Sequence, residues 1–123
     1  MIDRLIDACL GDAVGGLLAQ PVSDTLKVAL DDRVGATSDR SRHWLAQTPQ
    51  MFRLGLLRRA LAQAGDTVTD ESSAVEMLGL APKLVSGNAS NFKVTFAQDF
   101  VLAQAVLRSR KPASEKDSSY DYP

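Results

Sequence analysis

The stretch "VGGLLAQ", residues 14–20, is the segment of this sequence with the clearest character of a buried β-strand. Apolar residues run through it without polar alternation and Pro21 follows it, which is the pattern of a strand covered on both faces. Its two glycines indicate close packing against a helix, because no glycine-rich phosphate-binding motif accompanies them. We therefore place this strand at the centre of the fold and interpret the rest of the chain around it.

Segments on both sides of this strand show the spacing of apolar residues that is typical of amphipathic helices. They cover residues 2–11, 52–64, 69–78 and 97–108. In the second helix we expect a stripe of apolar side chains to face the core. That stripe consists of Leu54, Leu57, Leu61 and Ala64, widened by Leu56 and Ala60. The third helix opens near Thr69 and closes at Gly79, which is a natural helix stop.

Short apolar runs at residues 83–86 and 92–95 are further strand candidates. Strands that alternate with helices indicate an α/β layered architecture. A parallel sheet needs several buried strands, however, and the sequence indicates one strongly. We therefore interpret the chain as part of an α/β domain.

A β-hairpin is predicted where two polar, β-tolerant runs, residues 23–30 and 34–39, flank the turn residues 31–33. Few of these residues could fill a core. We therefore expect an extended arm, about residues 22–48, which packs on another subunit. At the other end of the chain, the polar segment 109–123 shows no periodicity and is predicted to be a disordered tail.

Composition excludes several classes of function. The chain has 123 residues with a net charge of −1, which gives no reason to expect nucleic-acid binding. No apolar run reaches the length of a membrane span, and the first residues do not resemble a signal peptide. One cysteine, Cys9, excludes an intramolecular disulfide, and with one histidine, His43, it cannot form a Cys/His zinc site. We expect a cytoplasmic protein.

The stretch "WLAQTPQMF", from Trp44 to Phe52, places four polar or proline residues between apolar ones. A surface loop does not need so many apolar neighbours. A buried strand does not favour so many hydrogen-bonding groups, because each of them must find a partner when it leaves water. The purpose of this polar island, residues 47–50, is a question that the residues alone leave open.

Arginines are concentrated around this stretch, with no acidic residue between positions 40 and 59, and such a field attracts anions. Arg40 and Arg42 are the more informative, since they lie on the arm, where there is little core to serve. The others are expected on a solvated helix face: Arg53, Arg58 and Arg59.

Two further residues could bind a phosphate. Thr69 lies where a helix begins, and free backbone N–H groups there favour an anion. From the residues alone we interpret it as an N-cap, because Asp70 and Glu71 would repel an anion. Lys93 lies in the strand pattern 92–95, where an inward lysine would need an anionic partner. An outward, solvated lysine is the more common case.

Four segments together resemble the 2-C-methyl-D-erythritol 4-phosphate cytidylyltransferase family in their order and spacing. They are "PVSDTLK" (21–27), "DRSRHWLAQTPQMF" (39–52), "VTDESSAVEMLG" (68–79) and "LVSGNASNFKVT" (84–95). The likeness runs from near Ile2 to about Leu107. Ribitol-phosphate cytidylyltransferases share the TPQ and the late lysine, whereas "TDESSA" is more similar to the methylerythritol branch.

The resemblance implies an α/β fold in which residues 1–108 form the C-terminal part of a Rossmann-like nucleotidyltransferase sheet with a protruding β-arm. It implies transfer of a cytidylyl group from CTP to 2-C-methyl-D-erythritol 4-phosphate, with Mg²⁺ and release of pyrophosphate, in non-mevalonate isoprenoid biosynthesis. Catalysis of this kind consists mainly of positioning and charge stabilisation.

The resemblance also assigns residues. In the family a β-arm crosses to the partner of a homodimer and completes its substrate site. By motif match, Thr25, Arg40 and Thr48 would come from the arm, and Thr69 and Lys93 from the body of the other subunit. Arg40 and Lys93 would hold the substrate phosphate for attack on CTP. The polar island would then be a wall of this site, with Thr48 facing the substrate.

The likeness covers the C-terminal half of the family pattern, and the family's glycine-rich nucleotide loop lies upstream of Met1. We therefore expect no catalytic residue, CTP site or magnesium site in this chain, and a fragment that is inactive alone. Ser90 stands where many members have an acid. The alternatives are a ribitol-5-phosphate cytidylyltransferase and a non-enzymatic remnant that dimerises or binds a sugar phosphate.

Overall fold

A computed structural model describes residues 1–110 and divides them into two compact units, the second of which begins at Phe92. The first unit contains α1 (Ile2–Cys9), β1 (Gly15–Pro21), β2 (Leu26–Leu30), β3 (Arg33–Ser38), β4 (Trp44–Phe52), α2 (Leu54–Gln63), α3 (Glu71–Glu76) and β5 (Lys83–Ser86). The second unit contains α4 (Ala97–Ser109). Ser109 therefore ends a helix, and the rest of the predicted tail, from residue 111, lies outside the described residues.

Strand β1 is the centre of a three-stranded sheet in the order β4-β1-β5. It pairs antiparallel with β4 and parallel with β5. Its first five residues are buried, and Leu18 has no exposed surface. The prediction that residues 14–20 form the central buried strand is therefore confirmed, and the sheet is mixed because β4 runs against the other two.

Helix α1 packs on this sheet through Leu5 and Cys9, which form one core cluster with Leu18 and Val85. Cys9 is buried, and its burial raises the pKa of the thiol, as expected for a small core residue and not for a nucleophile. Gly16 permits this close packing. A Cβ at Gly16 would lie 2.6 Å from the carbonyl oxygen of Lys83 and 3.1 Å from the Cys9 sulfur.

The second core cluster lies between α2 and α3, and it corrects the predicted face of α2. Leu54 and Leu61 are 73% and 48% exposed, whereas Ala60 is buried against Ala74 and Val75. The small side chains of Ala60 and Ala74 let the two helices approach closely, so the helix turns this side inward. Two leucines of the predicted stripe therefore lie on the surface.

Arg53 is exposed, as predicted, but it lies at the N-cap of α2 and makes specific contacts. Its guanidinium donates to the main-chain carbonyls of Leu10 and Asp12, at the end of α1 and in the following turn. Arg53 therefore pairs with a carbonyl left free at the C-terminal end of α1 and with one in the turn that follows it. Arg58 and Arg59 are exposed, as expected for a solvated helix face.

The turn between α1 and β1 is organised by Asp12. Its carboxylate accepts the backbone N–H groups of Val14 and Gly15, both at 2.9 Å, and forms an ion pair with Lys83 at 3.0 Å. The N–H of Gly15, the Lys83 ammonium and the N–H of Val14 together lower the pKa of Asp12 to about 2. The charged form of Asp12 therefore joins the turn to β5.

This geometry predicts a specific acid response. The pKa of Asp12 is about 2 in the folded protein and 3.8 in an unperturbed chain, so its stabilising effect is complete above about pH 4 and is lost as the pH falls toward 2. Asp12→Asn keeps an oxygen acceptor for Val14 and Gly15 but cannot titrate. We expect this variant to be less stable at neutral pH and to show a flatter pH dependence between 4 and 2. Urea unfolding at a series of pH values measures this.

Asp24→Asn, which removes an exposed carboxylate in the arm, is the control for the pH series. If Asp12→Asn and Asp24→Asn gave the same slope of unfolding free energy against pH as the unmutated chain, the role assigned to the Asp12 carboxylate would be wrong.

The predicted hairpin is confirmed. Strands β2 and β3 form a separate two-stranded antiparallel sheet, and every residue from 27 to 37 is exposed. Asp31 and Asp32 have φ values of 47° and 60°, the left-handed conformations of a type I′ turn. The bounds of the arm differ from the prediction, because residues 44–48 belong to β4. The hairpin and its connections span residues 22–43, and the N–H of Val22 donates to the carbonyl of His43 at their base.

In the second unit, the predicted strand at residues 92–95 is not formed. The Asp99 carboxylate instead accepts the N–H groups of Thr95 and Phe96, at 2.9 and 2.8 Å, and caps helix α4. In a strand, the N–H groups of Thr95 and Phe96 would be available to a neighbouring strand. Here they bond to Asp99 at the N-terminus of α4 instead. Within residues 1–110, no helix combines the length and the apolar character needed to cross a membrane.

Candidate functional site

The polar island of "WLAQTPQMF" is a bulge in β4. Leu17 pairs with Gln50 and Ala19 pairs with Ala46, so residues 47–49 of β4 lie opposite the single residue Leu18 of β1. The ladder is interrupted there, and the peptide bond between Thr48 and Pro49 is cis. Bulges of this kind redirect side chains and are frequent beside functional sites. The apolar ends of the stretch thus continue the ladder, while its polar middle leaves it.

Gln47 fixes one side of the bulge. Its side-chain amide donates to the carbonyl of Asn88 at 2.9 Å. The side-chain amide of Asn91 also contacts the bulge. It donates to the carbonyl of Thr48 at 2.7 Å and to the Gln47 side-chain oxygen at 3.3 Å. Gly87 leaves room for this amide, since a Cβ there would collide with the end of the Gln47 side chain. The bulge is therefore joined to the loop that follows β5.

Gln50 fixes the other side of the bulge. Its Nε2 donates to Oδ2 of Asp70 at 2.9 Å, and its Oε1 accepts the N–H of Ser72 at 2.9 Å. Asp70 is also the N-cap of α3, with its Oδ1 accepting the N–H of Ser73 at 2.8 Å. Gln50 thus joins the bulge to the N-terminus of α3.

These contacts bring two of the expected site residues into one region of a single chain. Thr48 lies in β4 and not in the hairpin, so the arm does not supply it, contrary to what the resemblance implied. Thr48 lies on the bulge and Thr69 directly precedes Asp70, and both are exposed. The N-cap is Asp70 and not Thr69, whose N–H donates to the Ser73 hydroxyl. The Thr69 side chain is therefore not needed to cap the helix.

Thr25 and Arg40 form a second group at the base of the arm. Thr25 directly precedes Leu26 and Arg40 follows Ser38 by two residues. Leu26 and Ser38 are the first pair of the hairpin, and both Thr25 and Arg40 are exposed. The Asp39 carboxylate accepts the N–H and the hydroxyl of Ser41, which shapes the turn that carries Arg40. The base of the arm thus carries one exposed cation and one exposed hydroxyl.

Lys93 belongs to the second unit, in the segment that precedes α4. Its residue is exposed and it does not lie in a strand. The reasoning that an inward strand lysine needs an anion therefore does not apply to it.

Several polar residues of this region were not among the site residues predicted from the sequence: Gln47, Gln50, Asp70 and Asn91. Gln47 and Gln50 lie within the polar island, and each makes the contacts that a partly buried amide requires. The sequence feature that could have identified these two residues is the glutamine on each side of the Thr48–Pro49 pair. The partners could not be found from the sequence, because they lie 20 to 44 positions away.

The described residues do not provide an evident metal site. Within residues 1–110, no group of three or more His, Cys, Asp or Glu side chains is placed to hold a metal ion. Both carboxylate oxygens of Asp70 already accept hydrogen bonds, one from Gln50 and one from Ser73. Burial would raise the pKa of its carboxyl, but the hydrogen bonds from those two residues hold the pKa below its usual value.

Comparison with known proteins gives a consistent result. The family model described as "IspD: 2-C-methyl-D-erythritol 4-phosphate cytidylyltransferase" matches residues 1–109. A bifunctional enzyme IspD/IspF of Albidiferax ferrireducens is 66% identical over 109 residues, which cover 89% of this chain and 26% of that protein. A 2-C-methyl-D-erythritol 4-phosphate cytidylyltransferase of Nitrosomonas eutropha is 58% identical over 111 residues, covering 89% of this chain and 48% of the relative.

A solved structure agrees with this result. A crystal structure of a 4-diphosphocytidyl-2C-methyl-D-erythritol synthase superimposes with a TM-score of 0.80 at 50% identity, covering 86% of this chain and 49% of that chain. The predicted α/β class and the Rossmann-like nucleotidyltransferase fold are therefore confirmed. The chain spans about half the length of the single-function relatives that it matches. It belongs to the 2-C-methyl-D-erythritol 4-phosphate cytidylyltransferase (IspD) family.

Proposed function

We propose that this chain provides the sugar-phosphate side of the active site in an enzyme that transfers a cytidylyl group from CTP to 2-C-methyl-D-erythritol 4-phosphate and releases pyrophosphate. Family membership supports the reaction. The observation that carries the assignment to this chain is the bulge at residues 47–49, where Thr48 is exposed and the nearby Gln50 is hydrogen-bonded to the N-cap of α3. This arrangement presents hydroxyl groups at an exposed surface.

In this proposal Thr25, Thr48 and Thr69 contact the substrate, while Arg40 and Lys93 bind its phosphate. Their contribution is binding and orientation, with positive charge that keeps the attacking phosphate oxygen near the nucleotide. All five residues are exposed and available to a ligand. Thr25 and Arg40 both lie near the first strand pair at the base of the arm, so the arm contributes one hydroxyl and one cation of the set.

We further propose that the chain forms a homodimer through the arm at residues 22–43. The arm has no core of its own, and its exposed apolar residues include Val28, Leu30 and Val34. Two-stranded hairpins are marginally stable in water unless they pack on something. Exchange of the arm between subunits would bury these residues. It would also bring Thr25 and Arg40 into the substrate site of the partner subunit, which contains the partner's Thr69.

CTP and Mg²⁺ belong to the proposed reaction. Within residues 1–110, no cluster of three or more His, Cys, Asp or Glu side chains is placed to hold a metal ion. We therefore assign no step of the reaction to a metal held by residues 1–110. The cytoplasmic setting is part of the same proposal, since its substrates are small metabolites and its one cysteine is a core residue.

A chimera tests the function directly. The 111 residues of the Nitrosomonas eutropha relative that match this chain are replaced by the corresponding residues of this chain. We expect the chimera to release pyrophosphate from CTP with 2-C-methyl-D-erythritol 4-phosphate, and Thr48→Val in it to lower kcat/KM by roughly tenfold, because a hydrogen bond to the substrate is lost.

Ribitol 5-phosphate is the control substrate, and the chain alone with CTP is the control protein. An active chimera with ribitol 5-phosphate as its better substrate would contradict the substrate assignment. A folded chimera without activity would favour the non-enzymatic remnant. Pyrophosphate release by the chain alone would contradict the expectation that it lacks a nucleotide site.

A further inference from the structure

The position of Thr48 depends on how the bulge is held. Three residues of β4 face one residue of β1, so the ladder does not fix the backbone of Thr48. The side chains on either side of it make long-range contacts instead, Gln47 to the loop after β5 and Gln50 to the N-terminus of α3. The Gln50 contact is the one that links Thr48 to Thr69.

The hydrogen bond between Gln50 and Asp70 has a fixed direction. Ser72 donates its N–H to Gln50 Oε1, so the NH₂ group of Gln50 must face Asp70. Ser73 donates its N–H to Asp70 Oδ1, so the other oxygen of Asp70 faces Gln50. Both side chains are partly buried, which makes an unmatched group costly. The Gln50 amide therefore cannot turn over without losing the hydrogen bond from Ser72, and the ionised Asp70 carboxylate can only accept.

We infer that Gln50 and Asp70 are positioning residues for the sugar-phosphate site, and that their hydrogen bond sets the separation of Thr48 and Thr69. This inference rests on the proposed function. Gln50 lies two residues after Thr48, and Asp70 directly follows Thr69. The pair therefore joins the two backbone segments that carry the proposed substrate hydroxyl contacts, and it acts on the site through them.

Exchanging the amide of Gln50 and the carboxylate of Asp70 between the two positions tests the role of their hydrogen bond. Gln50→Glu keeps an acceptor for Ser72 but sets a carboxylate against that of Asp70. Asp70→Asn keeps an acceptor for Ser73 but sets an NH₂ group against that of Gln50. In the double variant Gln50→Glu/Asp70→Asn the new amide donates to the new carboxylate. The hydrogen bond returns with donor and acceptor exchanged, and both backbone partners are kept.

Binding of 2-C-methyl-D-erythritol 4-phosphate to the full chain is measured by calorimetry, and KM and kcat are measured in the chimera. We expect each single variant to weaken binding and raise KM by about tenfold, and the double variant to return within about threefold of the unmutated protein. Unfolding in urea is measured on the same proteins. A recovery of binding that exceeds any recovery of stability supports a positioning role.

Matched controls change the same charges elsewhere. Glu71→Gln removes an exposed carboxylate from the first turn of α3, and Gln63→Glu adds one at the end of α2. Neither should alter binding by more than about twofold. If the single variants unfold more easily but bind normally, Gln50 and Asp70 are structural residues and the inference is overturned.

The two proposals can fail separately. A folded, unmutated chimera that neither binds nor converts the substrate overturns the proposed function, and this inference with it. A chimera that is active and indifferent to Gln50→Glu and Asp70→Asn overturns the inference alone. Binding that stays weak in the double variant, although its stability has recovered, also overturns it, because the restored hydrogen bond would then not have restored the site.

Discussion

Gly15→Ala is expected to lower the free energy of unfolding by about 3 kcal/mol or more, a large share of the roughly 5–15 kcal/mol that stabilises a typical domain. Gly15 has φ +116°, a conformation that residues with a Cβ rarely adopt. A Cβ there would also collide with the carbonyl of Met51 and lie 2.9 Å from Cα of Phe52. Both neighbours are backbone atoms, so no side chain can move aside to relieve the clash.

The position of Gly15 explains why the effect should spread. It begins the central strand, pairs with Phe52 at the end of β4, and donates its N–H to Asp12. A shift at Gly15 therefore disturbs the turn after α1 and the register of β4 together. Urea unfolding followed by circular dichroism measures the loss. If the variant is already unfolded without denaturant, its far-ultraviolet spectrum reports that directly.

Gly55→Ala and Gly11→Ala are the matched controls, since a Cβ at either position meets no atom within 4 Å. Gly55 lies in the first turn of α2, where alanine is favoured over glycine by up to about 1 kcal/mol. We expect that variant to be as stable as the unmutated chain or more so. Equal effects of Gly15→Ala and Gly55→Ala would contradict the argument from backbone contact.

Arg40→Ala and Lys93→Ala are expected to weaken binding of 2-C-methyl-D-erythritol 4-phosphate by roughly ten- to a hundredfold each. A charge-assisted hydrogen bond to a phosphate contributes about 1.5–3 kcal/mol. Both residues are exposed, so we expect little change in stability. Calorimetric titration of the full chain measures the affinity. Arg58→Ala, on the exposed side of α2, is the control and should change the affinity little.

A mixture of the two variants tests whether the arm is exchanged. If Arg40 and Lys93 reach one site from opposite subunits, each variant alone has no intact site. Random exchange of subunits would then restore about a quarter of all sites, because half of the dimers are mixed and each mixed dimer has one intact site. The stoichiometry of tight binding in the titration reports this fraction.

Subunit exchange is verified first, with chains that carry different tags. Verified exchange without any recovery of tight sites would place both cations in one subunit and contradict arm exchange. A clean monomer at high concentration, measured by light scattering, would contradict the homodimer itself.

The sequence alone determined the elements whose signals are local. The uninterrupted apolar run at residues 14–20 identified the central strand, since burial on both faces requires apolar residues at successive positions. The paired β-tolerant runs around Asp31 and Asp32 identified the hairpin, because its turn is formed by neighbouring residues. The short strand at 83–86 was likewise predicted with the bounds that the structure gives it. The family was indicated by four short motifs in register and confirmed by comparison.

The tertiary structure alone decided which partner each polar group meets. Lys93 lies outside any strand because Asp99 takes the nearby N–H groups for α4, and α2 turns Leu61 outward because Ala60 packs on Ala74. Similarly, the polar island is a bulge held by Gln50 and Asp70, 20 positions apart in the chain. The sequence does not indicate which distant group will form a hydrogen bond with a given side-chain amide. Folding brings distant donors and acceptors together, and at this site their pairing sets where Thr48 lies.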